Sequence, residues 1–260
     1  MTDHLLRVQD LRTQFRTSRG VVHAVDGVNL HIDAGETVGV VGESGCGKTM
    51  TALSILRLVP DPGRITSGSI VFGGRDVVKM GDDEVREFRG NDVAMIFQDP
   101  MTSLNPVTRV GAQIEEAMTA HRRFTNRQSR DRVVPLLKQV QIPAAERRSS
   151  DYPHQFSGGM RQRAMIAMGV ANEPSLIIAD EPTTALDVTV QAQIIELLKQ
   201  LNRDLGTAVM LITHNMALVA SLCRRVIVMY AGRIVEEGPV ERMFKSPQHP
   251  YTWSLLRSVP

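Results

Sequence analysis

One octet constrains this chain more than any other: Gly42-Glu43-Ser44-Gly45-Cys46-Gly47-Lys48-Thr49, spaced G-x-x-x-x-G-K-[ST]. Glycines at those places let the backbone turn its N–H groups inward around a phosphate. Lys48 can reach the β- and γ-phosphates as a point charge, and Thr49 can offer its hydroxyl to Mg²⁺. Residues 37–41, Thr-Val-Gly-Val-Val, read as a buried strand leading into the loop. Residues 50–56, beginning at Met50, read as the helix whose N-terminus faces the phosphates.

The 260 residues suit one large domain or two small ones, and a hydrophobic share of 42% supplies a core. With 30 basic against 28 acidic residues, the net charge of +2 gives no reason to expect nucleic acid as a partner. Arg122, Arg123, Arg127 and Arg130 read as a solvated helical face. The 2 cysteines are Cys46, inside the loop, and Cys223, in an apolar helical stretch; neither a disulfide framework nor a metal cluster is expected from this chain alone. The opening Met1-Thr2-Asp3-His4 lacks a signal-peptide layout, and no apolar run approaches the ~18 residues of a membrane span. The expected compartment is reducing and cytoplasmic, with any membrane association coming through partners.

Residues 5–35 read as strands and turns, with runs at 5–8, 21–25 and 28–32 and a turn at 33–36. A short strand at 67–72 closes on Gly73-Gly74, and another at 93–97 ends at Gln98. Residues 110–150 are helix-like and polar, and Pro135 weakens that helix locally unless it falls in a first turn. Helices at 161–171 and 190–205 then alternate with strands at 176–179, 208–213 and 226–230. This alternation argues for an α/β sheet interrupted by a helical insertion near 100–160.

Two further elements carry chemistry. Leu176-Ile177-Ile178-Ala179 leads into Asp180-Glu181, so two carboxylates stand at the C-terminal end of a buried strand, where open α/β sheets bind ligands. Asp180 is suited to hold Mg²⁺ and Glu181 to act as base or positioner for a water, although such a pair also caps helices. Just upstream, Ser157-Gly158-Gly159 reads either as a second anion cradle opening a helix or as a simple N-cap with flexible glycines.

Phe156-Ser157-Gly158-Gly159-Met160-Arg161-Gln162-Arg163 resembles the signature of ATP-binding-cassette (ABC) ATPases, whose commonest form is Leu-Ser-Gly-Gly-Gln. The resemblance covers nearly the whole chain. It narrows to the peptide and nickel importer branch through Met95-Ile96-Phe97-Gln98-Asp99-Pro100-Met101-Thr102-Ser103-Leu104-Asn105-Pro106, the signature, and Ser246-Pro247-Gln248-His249-Pro250-Tyr251-Thr252. Longer relatives continue beyond this last stretch, some with cysteines that bind an iron–sulfur cluster; this sequence has no such cysteines and stops at Pro260.

The resemblance implies an α/β P-loop NTPase (RecA-like) core with an antiparallel β subdomain and a helical insertion. The core would span about 1–98 and 161–235, the helical subdomain about 99–160, and a C-terminal extension would begin near 236. ATP would sit on Gly42, Glu43, Ser44, Gly45, Cys46, Gly47, Lys48, Thr49 and Met50, with Phe15 stacked on adenine. Mg²⁺ would be near Thr49, Gln98 and Asp180. Catalysis would use Glu181, the switch residue His214, Lys48 and Gln98. Ser157, Gly158, Gly159 and Asp187, the last within a dimer-contact loop Ala185-Leu186-Asp187, would reach ATP held by a partner cassette. The implied protein is an ATP-hydrolysing importer subunit for di- or oligopeptides or nickel. It would lie on the cytoplasmic face of the membrane with two permease subunits and a second ATPase subunit, served indirectly by an external solute-binding protein. The competing class is a soluble ABC ATPase, but such proteins usually carry tandem cassettes or a long coiled coil, and this chain has one set of motifs and no sustained heptads.

Overall fold

The structure is a computed structural model that describes residues 4–121, 123–184 and 186–257, so Arg122 and Ala185 of the segments above, with Met1, Thr2 and Asp3, lie outside the described residues. In chain order the elements are β1 (Leu6–Thr17), β2 (Gly20–Ile32), β3 (Thr37–Val41), α1 (Lys48–Ile55), β4 (Gly63–Phe72), β5 (Arg75–Asp76) and α2 (Asp82–Glu87). Then come β6 (Val93–Ile96), α3 (Pro100–Ser103), α4 (Val110–Thr119), α5 (Asn126–Gln139), α6 (Ala145–Arg148), α7 (Gly158–Val170), β7 (Leu176–Asp180) and α8 (Val188–Leu205). Last are β8 (Ala208–Thr213), α9 (Met216–Leu222), β9 (Arg225–Tyr230), β10 (Arg233–Pro239), α10 (Val240–Lys245) and α11 (Pro250–Arg257).

The chain forms two compact units, one built from residues 1–85 and 208–260, the other from 86–207. In the first, β2-β1-β4-β5 make an antiparallel sheet, and β10-β9-β3-β8 make a mixed one. Every residue of β3 is buried, because parallel partners flank it, β8 on one side and β9 on the other. A strand covered in this way reads as a continuous apolar run, and Thr37-Val38-Gly39-Val40-Val41 does. The Arg225 guanidinium ties the unit together. Its Nε and Nη2 reach both Glu36 carboxylate oxygens at 2.7 and 2.9 Å, Nη2 also donates to the His31 carbonyl at 2.6 Å, and Nη1 pairs with Glu237. One side chain thus joins β2, the turn before β3, β9 and β10.

In the second unit β6 and β7 run parallel, and α4, α5 and α7 pack on one another. Three expectations about helices are corrected here. Pro135 lies inside α5, well past its first turn. The helix tolerates it because Pro135 and Asp131, whose carbonyl loses its partner, both face water, while Val133, Leu136 and Leu137 bury the opposite side. Helix α7 begins at Gly158 rather than near 161, because the Ser157 hydroxyl accepts the Met160 N–H at 3.3 Å and starts the helix three residues earlier. Cys223, expected within a helix, is buried just after the end of α9. Arg127 and Arg130 are exposed on α5, as expected. Among the described residues no helix is long and apolar enough to cross a membrane.

Candidate nucleotide site

The first unit contributes the loop between β3 and α1. Gly42 has φ +152° and Gly47 φ +105°, values that L side chains rarely adopt. Each is also pressed against backbone: a Cβ on Gly42 would lie 2.2 Å from the Met229 carbonyl oxygen, and one on Gly47 would lie 2.4 Å from that of Ala24. The crown is open by contrast, with nothing within 4 Å of a Cβ built on Gly45. Below the loop, Gly232 N–H donates to the Cys46 carbonyl at 2.9 Å, and Asp26 N–H donates to the Gly232 carbonyl at 2.9 Å, so the β9–β10 turn props it from beneath.

The Lys48 ammonium is buried and curls into the loop, donating to the carbonyls of Gly42 at 2.8 Å and Glu43 at 2.9 Å. Helix α1 has Gly47 at its N-cap position and no side-chain cap. Helices α7 and α8 are capped, by Ser157 and by Asp187, whose carboxylate accepts the Val190 N–H at 2.9 Å. An uncapped N-terminus, an inward cation and a glycine-lined open crown fit a phosphate group. The Cys46 thiol is pushed up by burial, which outweighs the opposing pull of the Lys48 charge.

His214 follows β8 directly and is exposed, between the end of the strand and the Asn215 cap of α9. Since Val41 pairs with Thr213 in the parallel register, the phosphate loop and His214 leave the sheet at the same edge. Phe15 is half-buried on β1 opposite Val22 and Gly63, and its ring fills the space where a Gly63 Cβ would stand, 2.5 Å from Cε1. Part of that ring is therefore committed to the sheet.

The second unit contributes a separate group. The register Ile96–Ala179 puts Gln98, just beyond β6, and Asp180-Glu181, at the end of β7, on one edge. Asp180 is buried. Glu181 holds φ +46°, and its carboxylate accepts the Thr184 hydroxyl at 2.8 Å, so the turn aims and holds the group. The Ser157-Gly158-Gly159 segment lies beside the Asp187 loop: a Cβ on Gly158 would meet Leu186 at 3.6 Å, and one on Gly159 would meet Val190 at 2.8 Å. The two glycines are helical rather than flexible, and Gly159 is required by the closeness of α8.

Sequence reasoning gave no role to two residues that the structure brings into play. Arg163 is buried, donating to the Val140 carbonyl at 2.9 Å, to Gln141 at 2.9 Å and to Gln193 at 3.0 Å, and so stitches α5, α7 and α8 together. Tyr251 Oη accepts the Glu43 N–H of the phosphate loop at 2.9 Å. Its stretch was visible in the sequence, but no local pattern links positions so far apart. Among the described residues, His4, His31 and Asp33 also bring ligand-type atoms within 4.8 Å of one another. They gather at the opposite end of β3 from the phosphate loop, with the Arg225 cation bonded to the His31 carbonyl, an unfavourable neighbour for a metal ion.

Residues 25–184 match the ABC transporter family, and residues 235–260 match the oligopeptide/dipeptide transporter C-terminal region. The chain is 54% identical over 259 residues to a probable peptide ABC transporter ATP-binding protein, y4tR, of Sinorhizobium fredii, covering 99% of this chain and 77% of that protein. It is 51% identical over 257 residues to the oligopeptide transport ATP-binding protein OppD of Bacillus subtilis, covering 98% and 72%. Among solved structures, the dimeric ATP-binding cassette MJ0796 bound to ADP and Pi superposes with a TM-score of 0.80 at 28% identity, over 90% of this chain and 98% of that one. The cbiO1 subunit from Clostridium perfringens, part of the cbiONQ transporter complex, gives 0.79 at 27% identity, over 94% and 92%. The chain belongs to the ABC transporter family and has the fold of its ATP-binding cassette.

Proposed function

We propose that this chain is the ATP-hydrolysing subunit of an importer for peptides, working at the cytoplasmic face of a membrane. The observation that carries the reading is the joining, in one chain, of an inward-curled phosphate loop to a C-terminal segment of the oligopeptide/dipeptide transporter type. The relatives named for peptide transport support the choice of substrate over nickel.

Within this reading, the amides of 42–49 and the Lys48 ammonium bind and orient the nucleotide phosphates, while Phe15 offers its free ring surface to adenine. Thr49, Gln98 and Asp180 are the residues we assign to Mg²⁺, which when bound neutralises charge on the transferring phosphoryl group. Glu181 positions the attacking water and takes its proton at a carboxylate oxygen. The Thr184 hydroxyl on its other side orients the group. His214 supports the same geometry from the end of β8. Ser157, Gly158, Gly159 and Asp187 form one patch, suited to meet a nucleotide held by a second cassette.

The partners would be two permease subunits and a second ATPase subunit, with a solute-binding protein acting through the permease. Exposed apolar side chains on either side of Gln98 support a contact with the membrane subunits: Phe97, Met101 and Val107 are 40%, 58% and 81% exposed. The test is affinity capture of the tagged chain from detergent-solubilised membranes of its source. Recovery of two multi-spanning proteins with a second cassette is expected, and recovery of soluble partners alone would overturn the reading.

A further inference from the structure

Tyr251 belongs to the C-terminal segment, yet its hydroxyl lies on the phosphate loop. The Gly42–Glu43 peptide it touches is held on both sides. Its N–H, that of Glu43, donates to Tyr251 Oη at 2.9 Å, and its carbonyl, that of Gly42, accepts Lys48 Nζ at 2.8 Å. The next carbonyl along, that of Glu43, accepts Lys48 Nζ at 2.9 Å and Cys46 N–H at 3.3 Å. The orientation of this one peptide therefore helps decide where the Lys48 ammonium sits. The phenol is itself anchored. Its ring packs against Tyr230 at the end of β9, centroids 4.6 Å apart. Helix α11, which carries it, is clamped to β10: the Glu236 carboxylate accepts Gln248 N–H at 2.8 Å and His249 N–H at 2.9 Å and interacts with the fully buried Thr252. A continuous set of bonds thus runs from β10 through α11 to the loop.

We propose that Tyr251 is a positioning residue for nucleotide binding, fixing the Gly42–Glu43 peptide and through it the Lys48 ammonium, so that the C-terminal segment tunes the cassette's affinity for ATP. The inference rests on the assignment of 42–49 as the nucleotide site. A loop already held in its binding shape gives up less freedom when phosphate arrives, and a carbonyl that is turned away no longer holds the ammonium near it. Tyr251→Phe keeps the ring, its packing on Tyr230 and the clamp, and removes only the acceptor.

The experiment measures ATP affinity by calorimetry, together with hydrogen exchange at the Glu43 amide, on the full chain. Tyr251→Phe should raise Kd about two- to tenfold, the equivalent of one neutral hydrogen bond. It should also speed exchange at Glu43, and in steady-state hydrolysis the change should appear in KM more than in kcat. Trp253→Ala, an exposed position on the same helix, should leave Kd alone; a matching loss there would make the effect a general property of α11 and overturn the proposal. Lys48→Ala separates the two levels. If it fails to weaken ATP binding, the site assignment itself falls. If it abolishes binding while Tyr251→Phe changes neither Kd nor Glu43 exchange, only the role of Tyr251 falls.

Discussion

Replacing Gly47 by alanine tests whether the loop's shape, and not only its charge, binds the nucleotide. The new Cβ would stand 2.4 Å from the Ala24 carbonyl oxygen, whereas ordinary contact begins at 3.4 Å, so something must move by about 1 Å. Ala24 lies in β2 at a bulge held between His23 and Val25, which pair with Gln14 and Thr13 of β1, and Gly232, the next neighbour, is bonded to Asp26 and Cys46. Both obstacles are anchored, which leaves the loop as the part that shifts. The φ of +105° adds a strain of about 1–3 kcal/mol for a non-glycine residue. If the loop sheds that strain by leaving its binding shape, the ATP dissociation constant rises by roughly 5- to 150-fold, at 1.4 kcal/mol per decade. Calorimetric titration with ATP, beside a thermal melt of the nucleotide-free protein, separates lost affinity from lost stability. A Gly47→Ala variant that bound ATP within twofold of the parent would refute the argument.

Other perturbations have defined outcomes. Glu181→Gln should retain ATP binding and lower hydrolysis by about 10²–10⁴-fold, read as phosphate release, since it removes the base and keeps the shape. Arg225→Met should lower the melting temperature by about 4–10 °C at pH 7.5, from roughly 2–3 kcal/mol lost by the largely buried Glu36 and Glu237 carboxylates. That gap should narrow in acid. Burial alone would raise the Glu36 carboxyl, but the Arg225 hydrogen bonds and charge, with the Asp33 N–H, bring it below its ordinary 4.5. Its contribution is therefore present above that value and lost as pH falls. Burial pushes the Cys223 thiol up to about 12. Alkylation at pH 8, followed by mass spectrometry, should mark Cys223 only after denaturation.

The sequence was most readable where a fold rule acts locally. Strands β3 and β8 appear at their observed bounds, because buried strands paired in parallel are short apolar runs closed by turns or motif residues. The two runs at 21–25 and 28–32 form one strand, β2: register shifts against β1 break its alternation without ending it. Pro135 misled because helix rules price the lost hydrogen bond and not the apolar face that outweighs it. At the site, the loop, the carboxylate pair and the signature serine were legible as motifs. Their surroundings were not. The Met229 and Ala24 carbonyls beneath the glycines, the Thr184 hydroxyl on Glu181 and the Tyr251 phenol on Glu43 are tertiary contacts, and a chain read in one dimension carries no trace of them.

The first unit is discontinuous, closing only when residues 208–260 join residues 1–85. Strand β3 needs β8 and β9 as its neighbours, and the phosphate loop needs the turn after β9 beneath it and α11 at its shoulder. A ribosome delivers those pieces after the whole of the second unit. The nascent chain thus displays its phosphate-binding octet early but gains the contacts that shape it only once β8, β9 and α11 have followed. A chain ending before β9 should therefore lack the supports that hold this loop in shape.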